Sequence, residues 1–385
     1  MNSLSPVYAA ELAADIYNIK SELTVNDFLE VHADSFEVNQ DDKIKGTTGA
    51  LGILKSTHNM GVAAFGKEDK YKGQAFVIIK GTASLFDGLT DLNAGLKRFE
   101  TGGLVHQGFY YTFQSFLPQL RAFASELATK NIHYVHCVGH SLGGALATLV
   151  SDWLKANTSV KVSLYTFGSP RVGMPLFSDA CCRRVGNENV YRVFHNLDPV
   201  PMVPTWPFSH VTDSRGDYRM ACAAAQNPIK YHSIATYQKN VTNKSSDDWK
   251  VLKSFNEPEI LESALVSWLE SEGPVALTLN SAKLMSAAIL WVMNKVSEIF
   301  FVGVVVSGST AFTLLDRLAY LMHKAYSFGK KAGYWVVCLL KRMAKMLGII
   351  VTETTNFTYA FIRLMFIRMH HMVSELTKRA GQSLH

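Results

Sequence analysis

Cysteine is scarce in this chain, with five in 385 residues. An odd, small number excludes a disulfide-built scaffold, and the adjacent pair Cys181 and Cys182 has no metal-binding spacing. Cys137 lies in an apolar run and reads as a small buried hydrophobe. The thiols are expected to be reduced during folding. The stretch Met1 to Tyr8 has neither a basic segment nor an apolar run of signal-peptide length. That speaks against the general secretory route and leaves a cytoplasmic or peripheral-membrane location, or specialised export. Zinc-finger spacing, RNA-binding aromatics and a basic groove motif are also missing, so no nucleic-acid partner is expected. No acidic or histidine cluster suggests a metal, and no cofactor is expected.

An excess of charge of one sign is missing from most of the chain. Residues 1–274 carry 25 basic and 28 acidic side chains, whereas residues 275–385 carry 13 and 4. The overall +6 therefore belongs to the tail, which is also the most apolar region. Basic and apolar together fit an anionic membrane surface. A chain that is 48% hydrophobic has enough apolar mass for a large core, so global disorder is excluded.

Ser5-Pro6 ahead of Val7, Ala10, Leu12, Ala13 and Ile16 predicts a capped helix, and a second covers Val25 to Val31. Gln40 to Gly52 reads as loop. Met60–Phe65 and Gln74–Lys80 read as strands, and Phe113, Phe116, Leu120, Phe123 and Leu127 recur at helical spacing. Strand Tyr134–Val138, helix Leu142–Ala156 and strands Val160–Phe167 and Val190–Phe194 complete a βα rhythm. This alternation predicts an α/β fold with a mostly parallel sheet covered on both faces. Asn240 to Asp248 reads as polar loop, and Gly273-Pro274 as a break. Two domains follow from this pattern, 1–273 and a mainly helical 274–385.

Beyond the break lie three apolar stretches, Val275–Val296, Ile299–Leu315 and Gly333–Leu340. A spanning helix needs about 20 mostly apolar residues, so the uncharged middle stretch is marginal. Two readings stay open, an amphipathic or membrane-inserting tail and a helical cap or partner-binding bundle.

Gly139-His140-Ser141-Leu142-Gly143 follows a predicted strand and opens a predicted helix. In that context G-x-S-x-G marks a nucleophile elbow, a sharp turn lifting Ser141 Oγ above the sheet. Side chains at Gly139 and Gly143 would collide with neighbouring backbone there. The helix start offers unpaired N–H groups and a positive dipole end to a developing oxyanion. Asp198, after the strand Val190–Phe194, is stiffened by Pro199 and Pro201 and fits an orienting acid; Asp213 and Asp217 read as loop residues. The order Ser, Asp, His is that of α/β-hydrolases. His232 is the candidate base and His210 its rival. His140 reads as filling its position in the elbow, His106 as packing or bonding near the nucleophile strand, and His195 as too close to Asp198 in sequence to reach it.

Six pieces in order carry a resemblance to the class 3 lipases, the fungal-type triacylglycerol lipases and their bacterial and plant relatives. They are Ile79-Lys80-Gly81-Thr82, Leu89-Thr90-Asp91-Leu92, Val105-His106-Gln107-Gly108-Phe109, Gly139 to Ala145, Thr166 to Gly173, and Asn196-Leu197-Asp198-Pro199-Val200-Pro201. The resemblance spans roughly Thr47 to Tyr237. It implies an α/β-hydrolase with Ser141 as nucleophile, Asp198 as acid and His232 as base, and with Thr82 and Leu142 as oxyanion donors. It also implies a lid over Ser84–Lys97, with Leu85, Phe86, Leu89 and Leu92 on its apolar face. Two positions depart from the family pattern, Lys80 where arginine is usual and Gly88 where tryptophan is usual. Lysine cannot supply a bidentate fork.

The expected activity is that of a serine carboxylic-ester hydrolase on glycerolipids, a lipase or a phospholipase of the A1 or A2 type. Some bacterial relatives are membrane-hydrolysing effectors, so an inhibitor or immunity-type protein is a further expected partner, beside a membrane surface met by the tail. The competing class is a noncatalytic membrane- or partner-binding protein on a lipase-like scaffold.

Overall fold

A computed structural model describes residues 3–19, 22–37, 43–48, 56–81, 95–204, 208–213, 216–222, 228–254, 261–276, 278–300, 314–328, 330–352 and 354–382. Its centre is a seven-stranded sheet. The strands are β1 (Lys43–Thr48), β2 (Ser56–Phe65), β3 (Gln74–Ile79), β6 (Tyr134–His140), β7 (Lys161–Phe167), β8 (Val190–His195) and β9 (Asp217–Met220), hydrogen-bonded in that order. β4 (Leu96–Arg98) and β5 (Leu104–His106) form a separate antiparallel ribbon. β1, β2 and β3 pair antiparallel, and from β3 to β9 every pairing is parallel. This is an α/β-hydrolase fold with a largely parallel sheet.

Alternation of side chains along each strand explains why both faces are greasy. Ala75, Val77 and Ile79 of β3 pack in one core with Val135 and Cys137 of β6 and Val162 and Leu164 of β7. Phe76, Ile78, Val138, Tyr165 and Phe167 point the other way into a second core. Helix α1 (Pro6–Asp15), α2 (Glu22–Val31), α7 (Ile234–Ser245) and α8 (Trp249–Ser254) cover that second face. The first is covered by α4 (Gln107–Thr129), α5 (Leu142–Asn157) and α6 (Pro175–Val185), and a four-residue helix α3 (Glu68–Tyr71) bridges β2 and β3. Helix α1 starts where the Ser5-Pro6 signature puts it, with the Ser5 hydroxyl accepting from Tyr8 N–H.

Several expectations are corrected. Lys43–Thr48, inside the stretch read as loop, is an edge strand paired to β2. Its sequence, Lys-Ile-Lys-Gly-Thr-Thr, has one large apolar residue, and edge pairing needs little more. Asn240–Ser245 continues α7 rather than forming a loop, because Tyr237 and Val241 share one buried face. Asp217 lies in β9, not in a polar loop, and is bound by Arg192 through two hydrogen bonds of 2.7 Å. Leu96 and Lys97, placed at the end of the lid segment, belong to β4.

The C-terminal region forms helices α9 (Glu262–Glu270), α10 (Leu279–Phe300), α11 (Leu314–Phe328), α12 (Lys330–Met346) and α13 (Tyr359–Gln382). Their apolar sides meet in a third core built from Leu265, Met285, Val292, Met322, Leu339 and Met365 among others. Met343 and Ile362, also in that core, come from α12 and α13. In the described residues these helices pack together as a bundle. Among them no helix is long and apolar enough to cross a membrane. Most of the middle apolar stretch, 301–313, lies outside the described residues. Arg342 anchors the bundle at the chain break by donating to Ser271 O at 3.0 Å and Gly273 O at 2.8 Å. Helix α13 packs against both α11 and the 3-10 turn Pro228–His232 of the hydrolase part.

Candidate active site

β6 runs buried along its whole length and ends at His140, and α5 begins at Leu142. Ser141 between them has φ 56° and ψ −131°, a conformation that L residues with side chains rarely hold. Strain of this kind costs about 1–3 kcal/mol and persists only where packing over-determines it. Here the packing is backbone on backbone. A Cβ on Gly143 would lie 2.0 Å from Ile79 O, and one on Gly139 would lie 2.3 Å from Gly143 O. The strand and helix can meet at this angle only because both positions are glycine.

The bend aims Ser141 Oγ at His232. Serine Oγ and His232 Nε2 stand 2.8 Å apart, and His232 Nδ1 lies 3.0 and 2.9 Å from the two oxygens of Asp198. The carboxylate can only accept, so Nδ1 carries hydrogen and Nε2 is the nitrogen that faces the serine proton. Asp198 follows β8 and is held by two further donors, Val200 N–H at 2.9 Å and the Tyr237 hydroxyl at 2.7 Å. Ser141, His232 and Asp198 are all buried, the first two at 0% exposure. Three residues 34 to 91 positions apart in sequence thus form one hydrogen-bonded line.

Leu142 opens α5, so its N–H is one of the first-turn donors without an intrahelical acceptor. Thr82, Leu85, Phe86, Leu89 and Leu92, named above as oxyanion donor and lid, lie outside the described residues. Lys80, at the end of β3, donates through Nζ to Ile19 O, so the lysine ties the strand end to the N-terminal segment.

The remaining histidines separate cleanly. His210 Nε2–H donates to Pro201 O at 2.9 Å, and burial together with Arg192 and Arg171 holds its pKa well below the usual value. His106 caps α4, its Nδ1 accepting from Gly108 N–H at 3.1 Å, and burial lowers its pKa to about 4. His140, read as filling space, bonds Tyr17 Oη and His232 O, both at 2.8 Å. His195 reaches not Asp198 but Tyr231 O, at 2.9 Å, and Asn240 Nδ2, also at 2.9 Å. Tyr17 and Asn240 carried no sequence signal, since neither lies in a motif. Asp213 and Asp217 stay apart from the triad, Asp217 being committed to Arg192. Among the described residues no group of three or more His, Cys, Asp or Glu is arranged to hold a metal.

Such a line can make an alcohol nucleophilic and return its proton to a leaving group. Residues 76–208 match the family model described as lipase (class 3). The chain is 33% identical over 175 residues to secreted mono- and diacylglycerol lipase 1 of Fusarium solani, covering 45% of this chain and 51% of that protein. It is 39% identical over 129 residues to Toxin TseL of Vibrio cholerae, covering 32% and 19%. The alignment thus spans about half of the first relative and a fifth of the second. Among solved structures it is similar to mono- and diacylglycerol lipase from Aspergillus oryzae, at 20% identity and TM-score 0.42, over 65% of this chain and 92% of that one.

Proposed function

We infer that this chain, a member of the class 3 lipase family through residues 76–208, is a serine carboxylic-ester hydrolase acting on glycerolipids. One observation carries the reading. Ser141 Oγ, at a strained elbow, is 2.8 Å from an imidazole whose other nitrogen faces a buried carboxylate at 2.9 Å.

The chemistry is acyl transfer in two steps. His232 Nε2 takes the Ser141 proton as Oγ attacks the ester carbonyl, and the C=O electrons move onto oxygen. Leu142 N–H, with Thr82 as its proposed partner, stabilises that oxyanion. The tetrahedral species collapses, His232 hands its proton to the departing alkoxide, and an acyl-serine remains. Water then attacks the acyl-serine with the same histidine as base, releasing the fatty acid. Asp198 holds the imidazole tautomer throughout and stabilises the imidazolium.

Substrate class rests on the relatives. The Fusarium protein is named for mono- and diacylglycerols and the Vibrio protein as a toxin. The Fusarium protein's name supports a glycerol ester, and phospholipid is proposed beside neutral glyceride because of the tail. Residues 275–385 carry 13 basic and 4 acidic side chains, while the apolar faces of the described helices α10 to α13 meet inside the bundle. Attraction to an anionic bilayer through the outer basic surface, rather than insertion, follows from that division. An inhibitor or immunity-type partner, which the toxin's name supports, and specialised export belong to the same proposal.

Fluorophosphonate labelling followed by product analysis tests the reading. Native protein should label at Ser141 and release fatty acid from mixed diacylglycerol and phospholipid vesicles, while Ser141→Ala does neither. Absence of labelling in native protein would favour a noncatalytic binding protein.

A further inference from the structure

The turn Pro228–His232 carries the base, and two other imidazoles grip its backbone. His140 Nε2 lies 2.8 Å from His232 O, and His195 Nδ1 lies 2.9 Å from Tyr231 O. A carbonyl can only accept, so both nitrogens carry hydrogen and both opposite ring nitrogens are bare acceptors. Each bare nitrogen has its own donor. The Tyr17 hydroxyl, 2.8 Å away, donates to His140 Nδ1, and Asn240 Nδ2, 2.9 Å away, donates to His195 Nε2. Consecutive carbonyls of the base's turn are thus held from two directions by rings of defined and opposite tautomer.

Tyr17 extends the arrangement to the other side of the nucleophile. Its oxygen accepts from Gly81 N–H at 3.0 Å, immediately before Thr82. The fit is close, since a Cβ on Gly81 would come within 2.7 Å of Tyr17 Oη and 3.1 Å of Ser141 Cβ. Hydrogen bonds therefore run without a break from the end of β3, through Tyr17 and His140, to the backbone of His232. The rings also pack, with His140 and His232 centroids 4.9 Å apart and His195 and Tyr237 4.2 Å apart. Burial of His140 and His195 favours their neutral forms, the only forms with a bare nitrogen to accept.

We propose that His140 and His195 are positioning residues for His232, clamping the carbonyls of His232 and Tyr231, with Tyr17 and Asn240 fixing the tautomer of each clamp. The clamp makes no contact with substrate. It sets where His232 Nε2 stands relative to Ser141 Oγ, and through Tyr17 it sets the strand end that precedes Thr82 against the same pair. Small misplacements of reacting groups cost rate rather than ground-state affinity.

The proposal rests on the ester-hydrolase reading, and its test keeps the two apart. In full-length protein, kcat and KM are measured on p-nitrophenyl butyrate for native, Tyr17→Phe, Asn240→Ala, His140→Gln and His140→Phe chains. Tyr134→Phe is the control, because Tyr134 shares a buried hydroxyl bond of 2.7 Å with Ser163 at the far end of the strands. Tyr17→Phe and Asn240→Ala are expected to lower kcat about tenfold, with KM within about twofold and melting temperatures no lower than that of Tyr134→Phe, which keeps native kcat. His140→Gln retains one donor and one acceptor and should recover about tenfold over His140→Phe. Native kcat in Tyr17→Phe, or an equal loss in Tyr134→Phe, would overturn the clamp. Nitrogen-15 NMR of the imidazoles gives a readout independent of turnover. It should find His140 protonated at Nε2 and His195 at Nδ1, with His140 losing that preference in Tyr17→Phe. The reverse tautomer at either ring in native protein would also overturn it. Native protein that hydrolyses no ester defeats the functional reading instead, and the tautomers still decide the clamp.

Discussion

The Tyr237 hydroxyl donates to Asp198 Oδ2 at 2.7 Å while accepting His195 N–H at 3.1 Å. Burial, with the Asp198 charge adding to it, pushes the Tyr237 phenol well above its usual range, so it remains a donor at any working pH. A carboxylate at 1% exposure needs such donors, because burying an under-satisfied charge is costly. Tyr237→Phe is expected to lower kcat about tenfold and stability by about 1–3 kcal/mol, read by ester turnover and urea unfolding. Native values in both would show that Val200 N–H and His232 alone satisfy the acid.

The two rival histidines make a sharper contrast. His232→Ala should cost on the order of a thousandfold or more in kcat, since it removes the proton carrier. His210→Ala, which loses a bond to Pro201 O, should stay within about fivefold of native. Equal losses in the two variants would remove His232 from the role of base.

Gly143→Ala tests the elbow without touching the chemistry. The added methyl would meet Ile79 O at 2.0 Å and Lys80 C at 2.7 Å, both backbone atoms of the neighbouring strand. Destabilisation of about 3 kcal/mol or more is expected, read as a lowered melting temperature or loss of soluble protein. A variant that melts like native would mean β3 and α5 can separate freely.

Acid should unfold this protein through its buried imidazoles. Burial lowers His106 and His195 to about 4 and His136 to about 3, from 6.5. The folded state therefore binds fewer protons than the unfolded chain below pH 6.5. Stability from these groups is full above 6.5 and is lost as pH falls through about 4 and then 3. A decrease on the order of several kcal/mol between pH 6.5 and 4 follows, measurable as the urea midpoint at each pH. A flat midpoint over that interval would contradict the neutral assignment of these rings.

Tail function has its own measurement. Full-length protein should float with phosphatidylglycerol-rich liposomes at low salt, and a protein ending at Gly273 should not. Added salt should release it, because the attraction is between surface charges. Equal flotation of the two proteins would take the membrane role away from residues 274–385.

What could be read from the sequence was whatever local chemistry imposes on it. The elbow needs glycines at fixed spacing and the sheet needs unbroken apolar runs, so Gly139, Ser141, Gly143 and strands β3, β6, β7 and β8 stood out. Asp198 carried its prolines. β1 and β9 did not stand out because Lys43–Thr48 and Asp217–Met220 are short and mix polar with apolar residues, without an unbroken apolar run. Tyr17 and Asn240 were hidden for another reason. Each matters only through a partner more than 40 positions away, His140 and His195 respectively. The family pattern suggested a lid helix through Lys97, whereas Leu96–Arg98 pairs with Leu104–His106 as a ribbon.

Ser141 is fully enclosed, at 0% exposure. On the proposed ester-hydrolase reading, a carbonyl reaches that oxygen only after a movement uncovers it, so each turnover would begin with an opening. Turnover then has a ceiling set by how often the enclosure opens. A fast-reacting short ester and a sluggish long-chain one would converge on the same velocity once chemistry outpaces that opening. Solvent viscosity, which slows large motions and leaves bond breaking alone, becomes a lever on the rate.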